Sequence, residues 1–402
     1  MTNTREFDVV LFGATGYTGQ LVADHLAAHG GGARLALAGR NRERLQHVCS
    51  EIRKSLPLLV GDSQDPAFVS QLAQRAKVVC TTVGPYSLYG ERLVAACVDQ
   101  GTSYCDLTGE VNFVRHMIDR YEERARKSGA RIVHSCGFDS IPADLGTFFL
   151  QEQARARWGA PAEEVRARVT KMRGGSSGGT VASGLEVMKA TQNDSELRKL
   201  LLSPYTLNPT GQQTGPDEPD QYLPRKDPDF GWVAPFIMAA CNTRIVRRTN
   251  AVLGYPYGQN FRYDEAIATG RGAKGFAAAS GISAGTMGMV ICMTVPPLRK
   301  ITQRYLPKPG QGPTREQRET GFFVYELVGT RGQGKDQIRV RVSADRDPGY
   351  GATSKMLGQA ALCLAQDADS LPVQGGSWTP ASAMGKKLID RLNHVGVRFE
   401  VA

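Results

Sequence analysis

Three glycines spaced three apart follow directly on an apolar run: "VLFGATGYTG" (residues 10–19) carries Gly13, Gly16 and Gly19. A strand that turns sharply into a helix needs a residue tolerant of unusual backbone angles, which Gly13 supplies. Gly16 leaves bare main chain at the helix start, where free N–H groups and the dipole favour an anion. Gly19 lets the helix pack closely on the strand. In that strand–turn–helix context G-x-x-G-x-x-G reads as a pyrophosphate-binding turn, with Gly13, Thr15, Gly16, Tyr17, Thr18 and Gly19 as its contacts. The next apolar run, "RLALAGR", ends in Gly39-Arg40, where a reader of the ribose 2′-hydroxyl would have a carboxylate. A guanidinium binds a 2′-phosphate through paired charged hydrogen bonds. Arg40, helped by Arg42 and Arg44, therefore points to NADPH rather than NADH, or else these arginines only solvate a helix start. Asp62, behind the third strand, would accept from the adenine amine or cap the next helix.

Two further stretches end strands and so border a ligand crevice in this type of sheet. In "TTVGPYSLYG", Gly84 and Pro85 would let the chain pass close to the nicotinamide ribose. Tyr86 then stands as a proton donor, or as a tyrosine packed at a domain seam. In "HSCGFDSIPADLG", Cys136 and Gly137 would face the cofactor, Cys136 being a reactive thiol or a buried structural cysteine. Asp139 and Ser140 serve catalysis, or one of them caps the helix that Pro142 opens.

The elements that must hold these residues alternate. Strands are expected at 8–12, 34–38, 56–60, 77–83, 104–107 and 131–135, with helices near 17–29, 41–54, 66–75, 90–100 and 111–128. That rhythm specifies an α/β fold, a Rossmann-type doubly wound parallel sheet, over 1–145. A second α/β domain follows over 146–350, and 351–402 are expected to be helices packing back on the first domain. Residues 203–232 hold six prolines and read as a lid, a binding loop or a surface excursion. Arg244, Arg247 and Arg248 form the one evident basic cluster of this half. Residues 275–297 carry no charge over a length close to the ~20 needed to cross a bilayer. They are poor in large aliphatics, which leaves three readings: a spanning helix, a helix buried at a domain or homodimer seam, or a membrane-apposed, lipid-lining segment.

A chain of 402 residues with 41% hydrophobic and 22% charged content suits two globular domains. The net charge of +10 attracts anions: a phosphorylated cofactor, anionic lipid or an acidic carrier protein. Nucleic acid is disfavoured, because no zinc-finger spacing, RNP-type motif or long basic block occurs. The eight cysteines and six histidines are scattered without C-x-x-C pairs, so no metal site or disulfide framework is expected. The N-terminus lacks a signal-peptide core, and a cytoplasmic setting is expected.

"GATGYTG", "GR", "TTVGPY", "YCDLTGE", "CGFDSIPADLG", "NTRIVRR", "LPKPGQGP" and "TPASAMG" together resemble the saccharopine dehydrogenase-like family, and within it the mycobacterial trans-acting enoyl reductases. The resemblance implies a Rossmann domain joined to an α/β domain of mixed sheet, and an NADPH-dependent reduction of a carbon–carbon double bond in an acyl chain. That chain would be assembled by a separate polyketide synthase. Two alternatives stay open: an imine or amine oxidoreductase like the saccharopine enzymes, and a non-catalytic NADPH-binding protein attached to membranes.

Overall fold

The computed structural model describes residues 5–174, 178–216, 220–302, 304 and 312–402. Residues 306–311 of "LPKPGQGP" therefore lie outside the described residues. The first sheet is built from β1 (Phe7–Phe12), β2 (Leu35–Gly39), β3 (Leu58–Val60), β4 (Ala76–Thr81), β5 (Ser103–Cys105) and β6 (Arg131–Val133). The second holds β7 (Glu164–Arg173), β8 (Arg225–Asp227), β9 (Gly231–Ala234), β10 (Arg262–Gly270), β11 (Phe322–Arg331) and β12 (Asp336–Ala344). The chain then returns to add β13 (Gly376–Trp378) to the first sheet and β14 (Val397–Val401) to the second. The first sheet runs β13-β6-β5-β4-β1-β2-β3 and is parallel throughout. The second runs β14-β12-β11-β7-β10-β9-β8 and is mixed, parallel only between β7 and β10.

The doubly wound sheet is thus present, and its strands read as near-continuous apolar runs because helices cover both faces. Val10 and Phe12 enter one core cluster with Leu72, Leu93 and Met117. Val9 and Leu11, pointing the other way, join a cluster that continues through Ile141 and Leu145 to Tyr325 and Val342 of the second sheet. The two sheets therefore share one core, spanned by the helix Ile141–Trp158. Gly146 permits this close approach: a Cβ there would lie 3.0 Å from Val342 and 3.2 Å from Leu327.

Several expectations change. The strands expected to reach 107 and 135 end at Cys105 and Val133, because the Asp106 carboxylate accepts from the N–H groups of Thr108 (3.1 Å) and Ser135 (3.0 Å) and turns both chains. The tail supplies a strand to each sheet, not helices alone; β13 has only three residues, too short to show a periodicity. The proline-rich stretch holds β8 and β9, and its first half is pinned rather than loose. Arg244, Arg247 and Arg248 do this. All three are buried on the helix Ala239–Val252. Arg244 donates to the Leu201 carbonyl (2.9 Å) and pairs with Asp220. Arg247 donates to the Tyr263 carbonyl and lies over the Tyr205 ring. Arg248 donates to the carbonyls of Leu207 (2.5 Å) and Ser377 (2.6 Å), and burial lowers its pKa to about 10.

Removing Arg248 would strand two buried carbonyls, each of which costs free energy without a donor. Arg248→Ala is expected to destabilise the protein by about 3 kcal/mol in urea unfolding, with faster proteolysis within residues 203–216. An unchanged midpoint would show that the carbonyls find water instead.

Candidate functional site

Gly13 adopts φ +88°, and its N–H donates to the Ala38 carbonyl at 2.9 Å, tying the turn to β2. A Cβ on Gly13 would sit 2.7 Å from Val83 Cγ2, and one on Gly19 only 2.1 Å from the Gly13 carbonyl oxygen. Gly16 is different. It is exposed, has extended angles at the head of the helix Tyr17–His29, and a Cβ there would meet only the Gly13 oxygen, at 3.3 Å. No side chain caps this helix. Its first-turn N–H groups thus form an anion cradle beside open space, as a diphosphate requires. Thr15 and Thr18 flank it, half-buried. The Tyr17 side chain turns away: its hydroxyl donates to the Pro313 carbonyl and accepts from Arg318 at 2.8 Å, and its ring meets Tyr350 edge-on. Tyr17 can offer the cradle its backbone N–H, not its phenol.

At the end of β2, the Arg40 guanidinium is 80% exposed and faces Asp62 at 3.7 Å. A pair so long and wet is worth little, so Arg40 can take a phosphoryl group in its place. Asn41 caps the helix Arg42–Glu51 by accepting from Arg44 N at 2.9 Å. Asp62 accepts from Gln64 N at 2.9 Å and shapes a turn; the cap of the helix Pro66–Arg75 is Asp65. The helix-cap reading of Asp62 is thereby corrected. An NADP dinucleotide could be held here, its diphosphate by Gly16 and the first-turn N–H groups and its 2′-phosphate by Arg40.

The crevice wall comes from the ends of β4, β5 and β6. Glu110 accepts from the N–H groups of Tyr86 (2.8 Å) and Ser87 (2.9 Å) and so fixes the turn through exposed Gly84 and half-buried Pro85. Tyr86 itself is buried, stacks near Phe113 and donates its hydroxyl to the Thr81 carbonyl at 3.2 Å. Burial raises its pKa well above the ordinary value. A phenol committed inside the sheet is no proton donor to a ligand, and that expectation is corrected. Cys136 is also buried, and burial raises its thiol pKa well above the ordinary value, which makes it a structural cysteine. Gly137 packs on Leu107 and Thr353, where a Cβ would lie 3.2 and 3.3 Å away. Ser140 caps nothing: its hydroxyl donates to Asn242 Oδ1 at 3.1 Å, across to the helix Ala239–Val252. It is a positioning residue, not a catalytic one.

Asp139 stands apart. It is half-buried between the anchored Phe138, whose N–H donates to Thr353 Oγ1 at 3.0 Å, and the anchored Ser140. A Cβ on Gly109 would lie 4.0 Å from Asp139 Oδ2, so the carboxyl lies against the backbone behind β5. Desolvation without a compensating cation pushes its carboxyl up to about 6. Among the described residues, the N–H groups of Gly137 and Asp139 have no acceptor. A half-buried carboxylic acid beside unspent backbone donors can deliver a proton and stabilise a developing oxyanion.

Sequence reasoning missed the groups behind this wall. Asp106, Glu110 and His134 lie in "YCDLTGE" and "HSCGFDS", where acidic residues directly behind a buried strand were an available signal. Asn242 Nδ2 donates to Glu265 Oε1 at 2.7 Å, and Glu265 also accepts from Tyr263 (3.0 Å) and Tyr325. Nothing local marks that pairing.

Comparisons with known proteins follow the same lines. Residues 9–133 match the saccharopine dehydrogenase NADP binding domain. The whole chain is 42% identical over 416 residues to a Mycobacterium tuberculosis protein assigned as a trans-acting enoyl reductase, covering 99% of that relative. It is 40% identical over 410 residues to the trans-acting enoyl reductase of Mycobacterium bovis, covering 98% of this chain and 97% of the other. In fold it is similar to apo saccharopine dehydrogenase (L-Glu forming) from Saccharomyces cerevisiae, with TM-score 0.53 and 11% identity over 98% of this chain and 99% of that one.

Arg40→Ala is expected to raise the Kd for NADPH about tenfold or more while leaving NADH nearly unchanged, read by fluorescence titration. Equal loss for both nucleotides would remove Arg40 from the 2′-phosphate. Asp139 carries a sign of its own. Its folded-state pKa lies above 3.8, so the unfolded chain ionises first and stability falls as pH rises from about 4 to about 6. Above that window Asp139→Asn is expected to raise the unfolding midpoint, an effect that should vanish below about pH 4.

Proposed function

Because the chain belongs to the saccharopine dehydrogenase-like family, among its trans-acting enoyl reductases, and is an NADP-dependent oxidoreductase, we propose that it reduces the carbon–carbon double bond of an α,β-unsaturated acyl thioester. The acyl chain is made and carried by a separate enzyme, a polyketide synthase of lipid biosynthesis. The reductant is NADPH. The observation that carries this reading is Asp139: a half-buried carboxyl between two anchored neighbours, pushed up to about 6 by burial with no cation to offset it.

NADPH, when bound, supplies the hydride that goes to the β-carbon. The chain's own groups must then meet two needs. Charge moves to the thioester oxygen as an enolate, and the N–H groups of Gly137 and Asp139 are the donors available to it. The α-carbon needs a proton, and the protonated Asp139 carboxyl supplies it. Ser140 and Thr353 hold the backbone on either side, so neither donor has to reorganise as charge develops.

An imine substrate of the saccharopine kind would need cations for its carboxylates. The buried arginines of the helix Ala239–Val252 are spent on carbonyls and on Asp220, which supports the less polar substrate. The net charge of +10 suits delivery by an acidic carrier domain.

Purified protein with NADPH and 2-enoyl thioesters of several lengths is expected to consume the nicotinamide absorbance. Turnover should fall as pH rises through about 6, in step with loss of the Asp139 proton. Asp139→Asn should lower kcat about a hundredfold and flatten that profile without changing the Kd for NADPH. Persistent absorbance with every chain length would overturn the proposal.

A further inference from the structure

The helix Gly272–Thr294 is long and apolar, yet little of it is buried. Among its described residues only Gly275, Ala279, Ser283 and Met293 are buried. Its opposite faces, and the short helix Pro296–Thr302 that follows, expose Phe276, Met287, Met289, Val290, Ile291, Leu298 and Ile301. Seven large apolar side chains along two consecutive helices are far more than scattered surface residues, and such a surface marks an interaction site.

What covers it is settled by charge and by attachment. No acidic residue occurs from 272 to 302, whereas Arg271 and Lys274 stand before the apolar stretch and Arg299 and Lys300 after it. A second copy of this chain would bring cations against cations whichever way the helices ran, since both ends carry them. An anionic surface fits both ends at once. The helix is long and apolar enough to cross a bilayer, but one stripe of it is held by protein, which favours lying on a surface. A Cβ on Gly275 would lie 2.2 Å from the Gly270 carbonyl oxygen, Thr269 Oγ1 donates to the Gly275 carbonyl at 2.9 Å, and Trp232 lies 4.7 Å from the Phe276 ring. A helix with one side seated on a sheet and the other apolar, flanked by cations, suits the plane of a headgroup interface.

We propose that the helices Gly272–Thr294 and Pro296–Thr302 form a docking surface for a bilayer rich in anionic lipid, on which the protein lies without spanning it. The surface shares a wall with the crevice. The helix Gly178–Asn193 packs against Gly272–Thr294, and its Gln192 Nε2 donates to the Thr294 carbonyl at 2.6 Å. Toward its other end, Ser183 Oγ lies 3.6 Å from where a Cβ on Gly84 would stand, at the crevice turn. An acyl chain leaving the bilayer at this face would thus have a continuous helix to follow to the cofactor end of the first sheet. The docking itself does not depend on which reaction the crevice performs.

The test is sedimentation of the full chain with vesicles of phosphatidylcholine alone or mixed with phosphatidylglycerol, together with its mass in solution. The expected result is a monomer that sediments with the mixed vesicles, remains in the supernatant with phosphatidylcholine alone, and is released by high salt. Lys274→Glu should weaken binding about fivefold or more, and the double variant Met289→Asp/Ile291→Asp should abolish it. Both variants should keep wild-type affinity for NADPH, which shows that they fold. A wild-type protein that never sediments with anionic vesicles overturns the proposal. So does a stable dimer that Met289→Asp/Ile291→Asp converts to monomer, which would give the face to a second copy.

Discussion

A single buried carboxylate sets the geometry of the crevice. Asp106 is wholly buried and accepts from Tyr104 Oη (2.9 Å), Thr108 N (3.1 Å), His134 Nδ1 (2.7 Å) and Ser135 N (3.0 Å). A carboxylate away from water must be satisfied in this way or it destabilises the fold heavily. Meeting that demand bends the chain behind β5 and behind β6 toward the same point, with Ser135 held at φ +63°. The effect spreads. Ser135 Oγ donates to the Thr108 carbonyl, Thr108 Oγ1 accepts from Glu110 N, and Glu110 takes the N–H groups of Tyr86 and Ser87. Three loops from three strands are thereby fixed relative to one another before any ligand arrives.

Polar groups in this region divide by whether the fold has used them. The Tyr86 hydroxyl, the Ser140 hydroxyl and the Phe138 N–H each have a partner inside the chain. The first-turn N–H groups behind Gly16, the Arg40 guanidinium and the Asp139 carboxyl either lack one or hold a weak one. Protein interiors satisfy their polar groups, so those left over mark where a ligand can complete the bonding. The same division separates the arginines. Arg248 on its helix has two carbonyls and belongs to the scaffold, while Arg40, at a strand end, has only a long contact with Asp62.

What the sequence revealed follows from how local each constraint is. The glycine turn was legible because positive φ at Gly13 and the clash a Cβ would make at Gly19 involve residues within one turn of chain. The position of Arg40 was legible for the same reason, as it directly follows a strand already identified. The side chains of "HSCGFDS" were not legible. Cys136, Asp139 and Ser140 lie within five residues, yet the first is buried, the second half-buried, and the third reaches Asn242, about a hundred positions away. Arg244, Arg247 and Arg248 showed themselves as a basic cluster, but the carbonyls they meet lie some forty residues upstream, 16 downstream at Tyr263 or more than a hundred downstream at Ser377. For 272–294 the sequence showed an apolar helix, and only the fold of β9 and β10 beneath it determines that one narrow stripe is covered.

The acidity of Asp139 is a property of how the two sheets meet. Nothing bonded to that carboxyl raises its pKa; lack of water does. A side chain in a loop would ordinarily swing outward and recover its hydration, at the cost of a small backbone movement. Here the backbone cannot follow. Behind β5 of the first sheet, Asp106 accepts from Ser135 N, and Thr353 Oγ1, at the head of the helix Thr353–Gln366, accepts from Phe138 N. From the second sheet, Glu265 binds Asn242, which in turn binds Ser140. Glu265 is itself buried, with burial pushing it up to about 7 against the donors Tyr325, Asn242 and Tyr263 that favour its charged form. The loop is thus clamped on both flanks, by Asp106 directly at Ser135 and by Glu265 through Asn242 at Ser140. Loosening either clamp would admit water around Asp139 and return its pKa toward the ordinary carboxyl value, with no change in any atom that Asp139 touches.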